Sequence, residues 1–474
     1  MHASRLKSQR RQKVTGRTPR RSSWRAALVA DNGEFFLVAS YLVIAGMFGG
    51  GLVGWTPGNM VLVLATIVMA CAFGWRDGYV AFARAPLAGQ IALIGIAVLP
   101  LLQLVPLPPA LWHALPGHDL RRLTLGLAGV ADSWQPLTLE PAATALCAIT
   151  AIGFVTFTGW LLRLSDGDFQ RLLGVAILLV LLGILVGLLQ VFSDGHWMTV
   201  QASMGATLLG FFANKNHMAL VLACSILLFG LVVSRQPAWQ GRRRMFVAGY
   251  TAFALVAIVV TNSRAGLGLG ALAAIMVLQD LTRGVALRWR VLAIVVVAAL
   301  VVGVMSSSAF ETVAGRVDDV SGDLRWRFLG WSWPLAERYG WLGSGFGSFQ
   351  TLFITVEQLA WVKPTIVNAV HNDYLQLLIE GGVPAMALLL LLAVSLVDTF
   401  GRFRHLPRRA LARHQLLFGL TAILLFALHS VVDYPLRRPA AWTFFALALA
   451  AAYRGTDDRT ASNAQAMEAK QLAE

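Results

Sequence analysis

Charge is scarce in this sequence. Asp, Glu, Lys and Arg make up 13% of 474 residues, while 57% are hydrophobic and the mean hydropathy is +0.66. A soluble globule of this length needs far more polar surface, and the same figures exclude intrinsic disorder and collagen-like repeats. Cysteine is nearly absent: Cys71, Cys147 and Cys224 lie far apart, each within a long apolar run. They offer neither a disulfide framework nor a metal-type spacing. No GxxxxGKS or GxxxxGKT loop is present, which argues against nucleotide-driven transport. Ten-residue strand alternation is missing as well, so a membrane β-barrel is ruled out and a helical membrane protein remains.

Apolar runs near the roughly 17–25 residues that span a bilayer recur at 35–55, 58–76, 88–106, 141–163, 171–192, 212–234, 246–262, 264–281, 291–308, 373–398, 414–431 and 439–453. The expected fold is therefore all-α and polytopic, with about twelve transmembrane helices and both termini on one side. Charge selects that side. Of 39 Lys and Arg, nine fall in residues 1–33, four in 235–244 and five in 402–413, all on the face shared with the amino terminus. By the positive-inside rule this face is cytoplasmic. Residues 1–33 then form a basic cytoplasmic tail, 34–453 a membrane domain and 454–474 a second cytoplasmic tail. The net charge of +15 reports topology and contact with anionic membrane lipids, with no nucleic acid as partner. The first run has no small-x-small cleavage site, so it reads as an uncleaved span and not as a signal peptide.

Two sizeable segments are left on the other face, about 107–140 and 309–372. The first is rich in Pro and carries Trp112 and Trp134, which suits a rigid chain along the headgroup layer. In the second, Leu324, Phe328 and Trp331 recur at helical spacing, predicting a short helix on the outer membrane face. It breaks at Gly343, Gly345 and Gly347, whose alternation permits a turn or a close backbone approach.

Polar residues at span ends gather on this same face: ANKNH (Asn214, Lys215, Asn216, His217), TNSR with Arg264, HNDY (His371, Asn372, Asp373, Tyr374) and HSVVDYPLRRP with His429, Asp433, Arg437 and Arg438. A single cation such as Arg264 could be a snorkelling anchor. Four clusters converging on one face indicate a cavity-lining site instead. Its inventory of Lys215, Arg264, Arg325, Arg327, Arg437 and Arg438 with histidines suits phosphate oxygens, for which the planar Arg fork is adapted. A metal at Asp318, Asp319 and Asp323 is the weaker reading, because DDVSGD has no histidine at ligand spacing.

Several of these elements meet a family. HNDYLQLLIEGG, with His371, Asn372, Glu380 and Gly382, resembles the hallmark of the O-antigen ligase and polysaccharide polymerase superfamily of bacterial inner-membrane proteins. GFFANKNHMAL is similar to that superfamily's G-x-x-x-N-x-N-H element, with Lys215 where Arg is more usual. TNSRAGLGLG, LRWRFLGW followed by GSGFGSF, and HSVVDYPLRRPA resemble further elements in the expected order, over about residues 100 to 450. The resemblance implies about twelve helices with a large periplasmic loop between the ninth and tenth. It also implies glycan transfer from an undecaprenyl-diphosphate carrier to a glycan or lipid A-core acceptor, without cofactor or metal.

In the chemistry so implied, His371 activates or orients the acceptor hydroxyl. Arg264, Lys215, Asn216, His217, Asn372, Arg437 and one of Arg325 and Arg327 bind diphosphate or glycan; the spacing does not choose between those two. Asn372 or Asp373 would fill a helix cap at this point better than His371. Glu380, about half a turn round the helix from His371, is expected to bond a neighbouring helix. A polysaccharide transporter or flippase is the alternative, with sites nearer the bilayer midplane; a scaffold would not need clustered Arg and His. Ligase, polymerase and protein O-glycosylating relatives are not separated by any local signature. Cysteine or reporter scanning is expected to place 309–372 outside the cytoplasm and 1–33 inside, and a cytoplasmic label at Asp318 would overturn the charge argument.

Overall fold

The computed structural model describes residues 23–51, 56–75, 78–197, 207–234, 237–282, 285–305, 322–362, 366–402 and 411–455. Most of both tails, together with Asp318 and Asp319, lies outside them. Every apolar run of the sequence falls on a helix: α1 (Ser23–Phe48), α2 (Pro57–Trp75), α3 (Leu87–Gln103), α5 (Pro141–Arg163), α6 (Asp166–Phe192), α7 (Lys215–Ser234), α8 (Arg243–Val260), α9 (Arg264–Leu281), α10 (Leu287–Met305), α12 (Asp373–Arg402), α13 (Leu411–His429) and α14 (Pro439–Arg454). Two amphipathic helices, α4 (Asp119–Leu127) and α11 (Gly322–Tyr339), occupy the long connections. Among the described residues eight helices are long and apolar enough to cross a membrane, which makes this a polytopic membrane protein. The other secondary structure includes a two-residue antiparallel pairing, β1 (Pro106–Leu107) with β2 (Gln135–Pro136).

Apolarity on all sides dictates which helices are central. α7 reads KNHMALVLACSILLFGLVVS, and α14 is buried along its whole length. A helix with no polar face has to be surrounded. Around this pair pack α1, α5, α6, α8, α9 and α13. Small residues set the distances: a Cβ added at Gly419 of α13 would lie 2.4 Å from the Ala448 carbonyl oxygen and 2.6 Å from the Ala452 nitrogen of α14. Close backbone approach of this kind replaces the hydrophobic drive that helices lack within a bilayer.

At the end of the bundle away from the site, Arg454 is not a snorkelling anchor. It is 3% exposed and donates to the carbonyls of Leu161, Leu162 and Leu164, with a 2.6 Å bond to Asp166 Oδ1. These are the carbonyls that the end of α5 leaves unpaired. The next helix begins earlier than its apolar run because Ser165 accepts from the Asp168 amide and caps it.

α12 is broken. Gly382 has φ 66° and ψ −166°, and the carbonyls freed there accept from the glycine turn: Ser344 N donates to Ile379 O at 2.9 Å and Gly345 N to Glu380 O at 3.0 Å. Gly343, Gly345 and Gly347 all have positive φ, and a Cβ at Gly343 would fall 2.2 Å from Glu380 O. The alternate glycines thus make the close approach that their spacing predicts. Gln103 ties in the first connection, donating to Glu380 O and accepting from Phe346 N. The 107–140 segment docks on α11 through Tyr339 Oη to Gly117 O and through the Arg338–Asp119 ion pair. Behind that helix Leu335, Tyr339, Phe349, Phe353 and Ile379 form a second small core.

The helix contact at Gly419 separates two effects of one substitution. Gly419→Ala is expected to destabilise the solubilised protein by about 1–3 kcal/mol through overpacking. Gly268→Ala, whose Cβ meets nothing within 4 Å, is expected to stabilise it by up to about 1 kcal/mol through helix propensity. Thermal melting in detergent reads both, and equal shifts would remove the close-approach argument.

Candidate functional site

Nine residues between α13 and α14, SVVDYPLRR, organise the site. Asp433 has no exposed surface, so its carboxylate must be met by donors. Asn214 Nδ2 donates to both oxygens at 3.3 and 3.2 Å, Asn216 Nδ2 donates at 2.7 Å and the Tyr434 amide at 2.9 Å. Three histidines face the same group: His371 Nδ1 at 3.4 Å, His217 Nε2 at 3.6 Å and His429 Nε2 at 4.0 Å. Burial alone would push this carboxyl up, but the bonds and positive potential of His217 and His371 hold it well below the usual carboxylate range.

The helix starts that supply these groups are capped by the same residues. Asn214 Oδ1 accepts from Asn216 N at 2.8 Å, opening α7. Ser263 Oγ accepts from Gly266 N at the head of α9 and donates to Asn216 Oδ1 at 2.7 Å, so two caps share one hydrogen-bond chain. Asn372 Oδ1 accepts from Leu375 N at 2.9 Å, making Asn372 the cap of α12, while its Nδ2 reaches Val431 O. His371 and Asn262 sit at φ 60° and 54°. Left-handed backbone at a non-glycine residue is strained and is held only where surrounding contacts impose it. With its Nδ1 turned to Asp433 and one-fifth of its side chain exposed, His371 leaves Nε2 for an incoming group.

A second network lies one turn of chain away. Arg437 Nη1 donates to Glu380 Oε2 at 2.6 Å and its Nε lies 3.4 Å from Asp373 Oδ1. Glu380 Oε1 accepts from Phe349 N and Gln376 Nε2, and Asp373 Oδ2 accepts from Ser430 Oγ. Glu380 is thus bonded to neighbouring segments, and Arg437 is engaged by two carboxylates. The remaining candidates diverge. Asn216 and His217 are buried against Asp433 and Lys215 is buried at the head of α7, whereas Arg264, in the first turn of α9, is exposed. Arg325 is half-buried and acts electrostatically on His429. Arg327 turns to Trp361, its guanidinium 4.1 Å from the ring centre. The two arginines that sequence spacing left undecided therefore face different surroundings.

Ligand atoms of His217, His429 and Asp433 all lie within 4.8 Å of one another, a spacing that a metal also accepts. Both Asp433 oxygens already accept from amide donors, the pattern of a hydrogen-bonded carboxylate. Sequence reasoning grouped Asp433 with its neighbours but gave it no role, since a lone Asp among apolar residues carries no signal of its future partners.

Comparison with known proteins gives one family: residues 249–390 match the family model described as O-antigen ligase. That span contains Arg264, Arg325, Arg327, His371, Asn372 and Glu380. No curated protein matches the chain.

Asp433→Asn sets an amide against two amide donors. It is expected to cost about 1–3 kcal/mol of stability at pH 7. Because the folded carboxyl is held low, its contribution is fully present above the unfolded value of about 3.9 and is lost only as pH falls through the lower folded value. The carboxylate's contribution to the gap between wild type and variant in thermal melts should be present at pH 7 and disappear only in strong acid, well below about pH 3.9.

Proposed function

We propose that this chain, whose residues 249–390 match the family model described as O-antigen ligase, transfers glycan from an undecaprenyl-diphosphate carrier to an acceptor hydroxyl in O-antigen or exopolysaccharide biosynthesis, the acceptor being a glycan or lipid A-core. The observation that carries this reading is the pairing of partly exposed His371 with buried, ionised Asp433 at 3.4 Å. Asp433 fixes the imidazole with Nδ1 inward, and Nε2 accepts the proton of the acceptor hydroxyl. The acceptor oxygen bonds to the anomeric carbon, the bond from that carbon to the phosphate oxygen breaks, and the electron pair leaves on the lipid diphosphate. Arg325, beside His429, stabilises the charge that develops there. Asn216 and His217 hold Asp433 in place, Lys215 opens α7 just before them, and Asn372 fixes the start of α12.

In this reading the chain sits in a bacterial inner membrane with twelve spans, 34–453 as the membrane domain and the tails 1–33 and 454–474 in the cytoplasm. The segments 107–140 and 309–372 are periplasmic, the second between the ninth and tenth spans. The reaction needs neither metal nor nucleotide.

His371→Ala is expected to lower turnover about 10²–10⁴-fold with donor binding nearly unchanged, because proton transfer counts mainly in the transition state. Transfer by purified protein from a lipid-diphosphate donor should persist with chelator present. Normal turnover in the variant removes His371 from the chemistry. Loss with chelator, restored by Mg²⁺ or Mn²⁺, moves the reaction to a metal-assisted class at His217, His429 and Asp433.

A further inference from the structure

We propose that His217, His429 and Asp433 form a reversible transition-metal site, best suited to zinc, and that metal bound there shuts off His371. The effect on turnover rests on the transfer reading above; the site itself does not. One ligand atom from each of the three residues lies within 4.8 Å of the other two. His217 Nε2 is 3.6 Å from Asp433 Oδ1, and His429 Nε2 is 4.0 Å from Oδ2. Both separations are too long for hydrogen bonds. They are close to the edge of a tetrahedral zinc site, about 3.3–3.6 Å when nitrogen and carboxylate oxygen stand about 2.0–2.2 Å from the ion. Small side-chain shifts close the set.

A purely structural role leaves His429 unexplained. Its side chain has no exposed surface, and among the described residues neither ring nitrogen has a hydrogen-bond partner. His217 is as deeply buried, and its Nδ1 is also unbonded. Buried polar atoms of this kind cost stability until something meets them. Two imidazoles with one carboxylate select zinc, copper or nickel over magnesium and calcium, which prefer all-oxygen sets. Three protein ligands leave a fourth position for water.

The electropositive place between these atoms is taken by an amide. Asn214 Nδ2 lies 3.3 and 3.2 Å from the Asp433 oxygens and 3.5 Å from His217 Nε2. An entering metal replaces that nitrogen, and Asn214 withdraws. Arg325 and Arg438 act electrostatically on His429 and His217 and oppose a further cation. Displacement and repulsion make the metal a releasable ligand, held more weakly than a structural zinc. His371 Nδ1 faces Asp433 Oδ1 at 3.4 Å, the same oxygen that His217 approaches. A divalent cation there takes the lone pairs that orient the His371 ring, so Nε2 is no longer held for the acceptor. Of the four residues only His371 has exposed side-chain surface, so the ion enters past it.

The test uses the full chain in detergent, stripped with chelator and then given Zn²⁺, Co²⁺ or Mg²⁺. A single tight Zn²⁺ per chain is expected, with Co²⁺ showing the visible absorption of a four-coordinate ion and Mg²⁺ not binding. His429→Leu removes a ligand without leaving a buried polar atom. It is expected to lower zinc affinity about a hundredfold or more, beyond the loss on removing a residue that merely orients a ligand. Asn214→Asp keeps the oxygen that caps α7 and adds a fourth ligand, so zinc affinity and the zinc-induced rise in melting temperature should both increase. Saturating Zn²⁺ should slow wild-type transfer about tenfold or more. Relative to its own metal-free rate, the His429 variant should need about a hundredfold more zinc for the same effect. Should His429→Leu fail to fold, Asn214→Asp decides. Equal zinc affinity in wild type and variants overturns the site, and transfer unchanged or raised by zinc overturns the inhibition. Variant-dependent zinc binding by a protein that transfers no glycan, with metal or with chelator, would leave the site standing and sink the transfer reading instead.

Discussion

One buried carboxylate sets the terms for the site end of this protein. Asp433 cannot stay ionised without exposed surface unless polar groups surround it, and these come from two separate helix starts and one helix end. Asn214 and Asn216 open α7, His371 precedes α12, and His429 closes α13. Fixing these ends around one anion fixes the relative heights of the helices, which apolar side-chain packing alone leaves free to slide. The same constraint holds the left-handed backbone of His371, since its ring must turn inward to reach the carboxylate.

The loop bearing Asp433 serves a second buried network four residues later. Arg437 bridges Asp373 and Glu380, and Glu380 in turn accepts from the Phe349 amide of the glycine-turn segment. Thus the break in α12, the glycine turn and the first connection are joined by backbone bonds, and their charge is balanced from the α13–α14 loop. The site lies where two such networks meet. Its rigidity comes from this double attachment, and its one ring-accessible nitrogen from the partial exposure of His371.

The helices were legible because the bilayer fixes the length and composition of a span: each of the twelve apolar runs is found on a helix, and among the described residues eight helices are long and apolar enough to cross a membrane. Boundaries moved where polar caps extend a helix beyond its apolar core, as Ser165 does for α6. The gathering of His217, His371 and His429 was legible as a set of polar span ends on one face. Their centre was not, because what makes Asp433 a hub is the arrival of residues about 220 positions earlier in the chain. Likewise Arg264 and Arg437 look alike in sequence, yet one points outward from a helix start and the other is claimed by Glu380 and Asp373. Charge type is local information, and counter-charge is not.

The Arg454 contact carries a consequence for the order of assembly. The carbonyls of Leu161, Leu162 and Leu164 emerge from the ribosome some 290 residues before the guanidinium that satisfies them. Until α14 inserts, the Leu161 and Leu164 carbonyls lack this donor, Leu162 O has only Arg84, and the central slot beside α7 lacks its other core helix. The core of the bundle therefore closes only once α14 is in place, and a chain stopped short of residue 454 leaves the faces of α5 and α13 that α14 covers open to lipid.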